Sequence, residues 1–272
     1  MSLYTFFGCL FTAYGPLLSI FFLYIARDAQ LVLLMVCRYA EIQDLLYNRI
    51  AVFNVDIFFL RSAFFWLIAM LLSSVIWFAA KPIQNMNTVT ILYSVIIQEL
   101  FRWGLFKLIN RAERGLMIVS KNPKSLFNRS VFAFVSGYGF GLTSALISYI
   151  STLVQSIGPG VMMCPSCPQA TLFFISAITT SLASLQHILW MMLAFEAYHT
   201  LPSTIGIIQG IWVIISHLGV SYATLMNSME SLYLGCVYAM IVQLVVLAIS
   251  TSLVISNLKK HYGEAMFSRN SQ

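Results

Sequence analysis

FFWLIAMLLSSVIWFAA, residues 64–80, runs from Phe64 to Ala80 without a charged side chain. With the apolar residues just before it, the run reaches the roughly 20 positions a helix needs to cross the hydrocarbon core of a bilayer. Backbone polar groups in lipid must be satisfied within the segment, so the run is read as a helix. Working outward, the same criterion marks seven stretches: Leu3–Ala26, Ile57–Ala80, Thr88–Lys107, Ser130–Val154, Gln169–Phe195, Ser203–Leu225 and Ser231–Asn257. They take up most of the 272 residues, of which 60% are hydrophobic and 9% charged, with mean hydropathy +0.85. Soluble domains are about half apolar and a quarter charged. The expected fold is all-α: a polytopic protein with seven transmembrane helices, residues 1–272 forming a single membrane domain.

The basic residues supply an independent test of that count. With seven spans, alternate loops share a compartment. One set carries Arg27, Arg38, Arg49 and Arg61, then Lys107, Arg111, Arg114, Lys121, Lys124 and Arg129, then Lys259, Lys260 and Arg269; the other carries only Lys81. Basic loops stay in the cytosol. The C-terminus is therefore expected in the cytosol and the N-terminus in the lumen or outside. The net charge of +6 is explained by these loops, with no nucleic-acid partner implied. Leu3–Ala26 is too long for a signal-peptide core and lacks a small-residue cleavage site, so it is expected to remain as the first span. Asn128-Arg129-Ser130, the Asn-x-Ser/Thr acceptor found, falls in a cytosolic loop and should stay unglycosylated.

Residues 37–61, CRYAEIQDLLYNRIAVFNVDIFFLR, are mixed and charged, and Leu31–Val36 before them is too short to span. The segment is expected on the cytosolic side, with an interfacial helix as one form it could take.

Membrane enzymes place ionisable groups inside apolar helices. The only aspartates, Asp28, Asp44 and Asp56, lie in or beside the first cytosolic loop, so no intramembrane pair can share a proton as aspartyl proteases require. No His-Glu-x-x-His pair is present for zinc-assisted hydrolysis. What remains is IIQELFRWG in the third span, with Gln98, Glu99 and Arg102, together with His187 in the fifth and His217 in the sixth. Glu99 and Arg102 are three apart and can pair on one helix face, while Arg102 could instead reach toward the cytosolic interface. Helical rise puts Glu99 and His187 each about 12 Å deep, with His217 further in. A polar cluster joining the third, fifth and sixth spans is therefore feasible. Its first reading is structural: a self-neutralised ion pair with histidines bonded for packing. His199 and His261 fall in cytosolic segments and suggest no role.

Gly137, Gly141 and Ala145 in VSGYGFGLTSA form a stripe of small residues on one face of the fourth span, where another backbone can approach closely. Cys9 and Cys236 read as small apolar packing residues, and Cys37 lies on the reducing side. Cys164 and Cys167 in MMCPSCPQ occupy a lumenal loop, where a local disulfide between them is one expectation.

FFGC and YGP within residues 6–16, the run at 64–78, QELFR at 98–102, NRAERGL at 110–116, VSGYGFG at 135–141, GPG at 158–160, LQHILW at 185–190 and SHL at 216–218 occur in order along most of the chain. Together they resemble the anterior-pharynx-defective (Aph) subunit of gamma-secretase. The resemblance implies a non-catalytic scaffold with seven spans. It would stabilise presenilin, nicastrin and the small presenilin-enhancer subunit, in a complex whose catalytic aspartates belong to presenilin and which processes Notch-type receptors and amyloid precursor-type proteins. It implies no cofactor, and places the protein in the endoplasmic reticulum, Golgi, and plasma or endosomal membrane. It also implies that Gly137, Gly141, His187 and His217 matter for assembly or activity. The chain departs from the family pattern at Ala145, at the Cys164–Cys167 pair, and at residues 37–61, which an insertion or a faulty gene model would explain. The rival reading is an intramembrane glutamate- or metal-dependent protease similar to CAAX-processing enzymes, using Glu99, Arg102, His187 and His217. Those enzymes carry a Glu-Glu pair with Arg four positions on, whereas here Gln98-Glu99 is followed by Arg102 three beyond Glu99.

Overall fold

In the computed structural model, residues 3–26, 49–116 and 127–270 are described. The chain forms α1 (Leu3–Ile20, continued by a π turn at Phe21–Ile25), α2 (Arg49–Ala79), α3 (Asn87–Leu116), α4 (Phe127–Gln155), α5 (Leu172–Thr200), α6 (Thr204–Ala223) and α7 (Gly235–Asn270). Among the described residues, seven helices are long and apolar enough to cross a membrane. Several are longer than hydropathy marks: α2 starts before Ile57, α3 runs past Lys107 and α7 past Asn257. Hydropathy ends where the lipid ends; backbone hydrogen bonding continues into the polar layer. Of residues 37–61, the first part, 37–48, lies outside the described residues, and from Arg49 the backbone is helical and continuous with the second span.

α5 is the central helix. It touches α1, α3, α4, α6 and α7, and its closest partner is α4. Thr171 caps its start, its hydroxyl oxygen accepting from the Phe174 N–H at 3.3 Å; Ser203 does the same for α6 through Gly206 at 3.2 Å. Such caps satisfy donors that a helix start leaves open.

Unlike a water-soluble bundle, this one carries large apolar side chains over its outside as well as in its core. Ile205, Ile208, Ile211 and Ile215 of α6, and Ile241, Leu244 and Val245 of α7, point outward. Arg102, Gln186 and Gln243 are wholly buried. Lipid tails solvate leucine as well as another leucine does, so helices are joined by close packing and interhelical hydrogen bonds. Tyrosines illustrate this: Tyr138 donates to the Leu17 carbonyl at 3.2 Å and Tyr149 to the Phe173 carbonyl at 2.9 Å, tying α4 to α1 and α5.

Between α4 and α5 the chain makes a small antiparallel hairpin, β1 (Met163–Cys164) and β2 (Cys167–Thr171), with Cys164 opposite Cys167. The expected Cys164–Cys167 disulfide does not form. Cys167 is bonded to Cys236 at the start of α7, 69 residues away, with Cα atoms 6.1 Å apart. Cys236 is thus a cross-link rather than a packing residue, while Cys164 and Cys9 are buried free thiols. Spacing along the chain cannot register that the fold lays the start of α7 against the hairpin. Cys37 lies outside the described residues.

Candidate functional site: a buried polar cluster

Three helices converge on one carboxylate. Glu99 and Arg102 are on α3, His187 on α5 and His217 on α6, all less than a tenth exposed. Arg102 Nη1 donates to Glu99 Oε1 at 2.5 Å, the i,i+3 pairing that α3 makes geometrically natural. His217 Nδ1 sits 2.6 Å from the same oxygen. The other end of the guanidinium, Nη2, lies 3.4 Å from His187 Nδ1. A guanidinium has donors only, so the imidazole nitrogen accepts in that contact.

Aromatic rings enclose the polar groups. Arg102 Cζ is 5.3 Å from the centre of Phe140 and 5.9 Å from that of Trp190, within cation–π range. Trp190 stacks on His217 at 4.5 Å between centroids, and His187 meets His217 edge-on at 5.3 Å. The charges of Glu99 and Arg102 cancel, and ring faces replace the water an isolated guanidinium would demand. Breaking either half would leave a bare charge in low dielectric. Among the described residues, Glu99 Oε2 and Arg102 Nε have no hydrogen-bond partner.

The fold brings together Glu99, Arg102, His187 and His217. Two expectations are corrected. Gln98 does not join the cluster; one residue along the helix turns it about 100° away, and its amide lies 3.9 Å from Met70 Sδ on α2. Arg102 does not reach for the interface, being 0% exposed and turned inward, because Glu99, His187 and two rings satisfy it inside.

The glycine stripe abuts the same site. A Cβ on Gly137 would come within 2.9 Å of Ile188 Cα and carbonyl oxygen, and one on Gly141 within 2.6 Å of the Ser184 carbonyl oxygen. Both glycines admit α5 of this same chain, and Gly141 lies under His187. Ala145, 1% exposed, continues the stripe toward α1, where the Tyr14 hydroxyl donates to its carbonyl at 3.4 Å.

Some residues escaped sequence reading. Trp190 lines the cluster three positions after His187, a spacing that was available as a signal. Gln186 donates to the Gln243 carbonyl at 2.8 Å, joining α5 to α7; a lone glutamine carries no such signal. At the basic end of the bundle, Asn110, Arg129, Glu196, His199, Asn257 and His261 line a cleft together with Phe106 and Phe195. His261 Nε2 there is 3.0 Å from Glu196 Oε2. The pairing joins α5 to α7 across 65 residues, a link that no local pattern signals.

Fold and site together define a multi-pass helical membrane protein in which buried Glu99, Arg102, His187 and His217, from three helices, face one another. Comparison with known proteins supplies the family. The family described as Aph-1 protein matches residues 4–40 and 50–257. A gamma-secretase subunit Aph-1b of Danio rerio is 33% identical over 241 residues, 84% of this chain and 80% of that one. The gamma-secretase subunit Aph-1 of Drosophila melanogaster is 30% identical over 231 residues, covering 85% and 84%. The gamma-secretase subunit APH-1B of Homo sapiens is 31% identical over 252 residues, covering 89% and 86%. The chain belongs to the Aph-1 family.

Proposed function

We propose that this chain is a component of gamma-secretase, acting as its non-catalytic scaffold beside presenilin, nicastrin and the presenilin-enhancer subunit. The carrying observation is the match to gamma-secretase subunits over more than four-fifths of the chain at about a third identity. The site's chemistry supports the same reading. The sequence has no aspartate beyond Asp56, and Glu99 Oε1 is occupied by both Arg102 and His217. A carboxylate gripped in this way is suited to holding helices together, not to activating water. The protease reading receives no support from the relatives, all named as gamma-secretase subunits.

In this reading the basic end of the bundle, with Arg129, Lys259 and Lys260, faces the cytosol, and the N-terminus faces the lumen of the endoplasmic reticulum, Golgi or endosome, or the cell exterior at the plasma membrane. The Cys167–Cys236 link lies at the opposite end from those basic residues, which fits an oxidising compartment. The buried cluster and the glycine stripe then serve assembly by fixing the shape of the scaffold. Affinity purification in mild detergent tests the proposal: presenilin and nicastrin should copurify with the tagged chain. Recovery of the chain without them, from cells that express all subunits, would overturn it.

A further inference from the structure

Three of the five cysteines meet in one buried cluster at the end of the bundle away from the basic loops. Cys167 is bonded to Cys236 and Cys164 is free. Cys164 and Cys167 face each other across the hairpin. Their sulfurs lie 3.6 and 3.9 Å from a single atom, the hydroxyl oxygen of Ser166. A thiol held beside a disulfide is the arrangement from which thiol–disulfide exchange proceeds.

We propose that Cys164 is the exchange thiol of a three-cysteine switch that transfers Cys167 from Cys236 to Cys164 and so uncouples the hairpin from α7. In thiolate form, Cys164 attacks Cys167 Sγ. The Cys164–Cys167 bond forms, the Cys167–Cys236 bond breaks, and Cys236 leaves as a thiolate that takes up the proton Cys164 gave away. Two sulfurs are oxidised and one reduced both before and after, so the step needs no outside oxidant or reductant. The inference rests on the lumenal assignment of this face, since the first disulfide has to be made there.

Neighbouring bonds hold the switch closed. The Cys164 thiol donates to the Asn227 carbonyl at 3.4 Å. Ser166 accepts the Cys236 N–H on its hydroxyl at 3.1 Å and the Leu234 N–H on its carbonyl at 3.0 Å. The α6–α7 loop must lift before the sulfurs can align. Leu234 sits beside the release point at φ 61°, in the left-handed region that non-glycine residues seldom occupy. Loss of the Cys236 tie lets that residue relax, which favours the exchanged form once the loop has opened.

The test is disulfide mapping by non-reducing peptide mass spectrometry on the full chain purified in its complex. Protein trapped with a thiol-blocking reagent at low pH should show the Cys167–Cys236 link with Cys164 blocked. Incubation at about pH 8.5, which raises the thiolate fraction of free thiols, should convert part of it to Cys164–Cys167 with Cys236 blocked. Cys164→Ser should abolish the second species and leave the first unchanged. Cys236→Ser, made in cells, should instead yield the Cys164–Cys167 link directly. The inference is overturned if only Cys167–Cys236 is seen in every condition and Cys236→Ser leaves Cys164 reduced. Three reduced cysteines in freshly trapped protein would overturn the lumenal assignment and the switch with it.

Discussion

His217 and Glu99, 118 residues apart in sequence, meet at 2.6 Å inside the bundle, on the carboxylate oxygen that Arg102 already holds. One atom thereby joins α3 to α6, and through Arg102 to α5. The consequences of removing each partner differ.

Glu99→Gln should be the most damaging single change in the cluster. It leaves the Arg102 guanidinium buried without its counter-charge, a loss of roughly 3–5 kcal/mol. His217→Ala removes a hydrogen bond and a ring stacked on Trp190 but leaves the ion pair, so it should cost less. The double variant Glu99→Gln, Arg102→Leu should recover part of the loss, because no bare charge remains. Melting temperature and detergent-soluble yield of the purified chain provide the measurement; equal losses for the single and double variants would refute the ion-pair account.

Gly137→Leu and Gly141→Leu should prevent folding of the chain itself rather than only its docking to other subunits. The added side chains collide with backbone atoms of Ile188 and Ser184, and backbone cannot swing aside as a flexible side chain can. Gly219→Leu, where nothing lies within 4 Å of the new Cβ, is the control and should retain near-parental yield. Limited proteolysis of the isolated chain separates the cases. A protease-resistant Gly141→Leu chain that merely fails to bind partners would show that the stripe faces outward.

Membrane orientation can be read by glycosylation. Asn128→Gln should leave electrophoretic mobility unchanged with or without endoglycosidase treatment. An acceptor built into the opposite loop by Gly160→Asn with Met162→Ser, both exposed positions, should add a glycan that the enzyme removes. A glycan on the parent chain lost in Asn128→Gln would invert the topology.

Deletions in the first loop should have sharply different outcomes. Residues 41–49 fall between the two matched stretches of the family, so removing them should leave copurification of presenilin and nicastrin at the parental level. Removing 37–61 takes away the first turns of α2, which begins at Arg49, and should reduce recovery of the complex several-fold. Equal recovery from both deletions would show that those turns contribute nothing.

Sequence by itself determined the number of spans, because a bilayer imposes a length and a polarity on each crossing that few alternatives satisfy. It also marked Glu99, Arg102, His187, His217, Gly137 and Gly141, because ionisable groups and paired glycines stand out against an apolar background. Only the tertiary structure decided which way they face. Gln98 and Glu99 are adjacent in the chain, yet one reaches Met70 and the other the cluster, since each step along a helix turns the side chain by about 100°. Arg102 turned inward because, beside Glu99 on its own helix, His187 and Trp190 on α5 and Phe140 on α4 receive its guanidinium, and no local rule contains those three partners. Cys167 bonded to Cys236 and not to its near neighbour because proximity in a folded chain depends on how α7 starts against the hairpin. Periodicity and hydropathy are local and can be summed along a sequence; pairing across 69 or 118 residues exists only once the helices have packed.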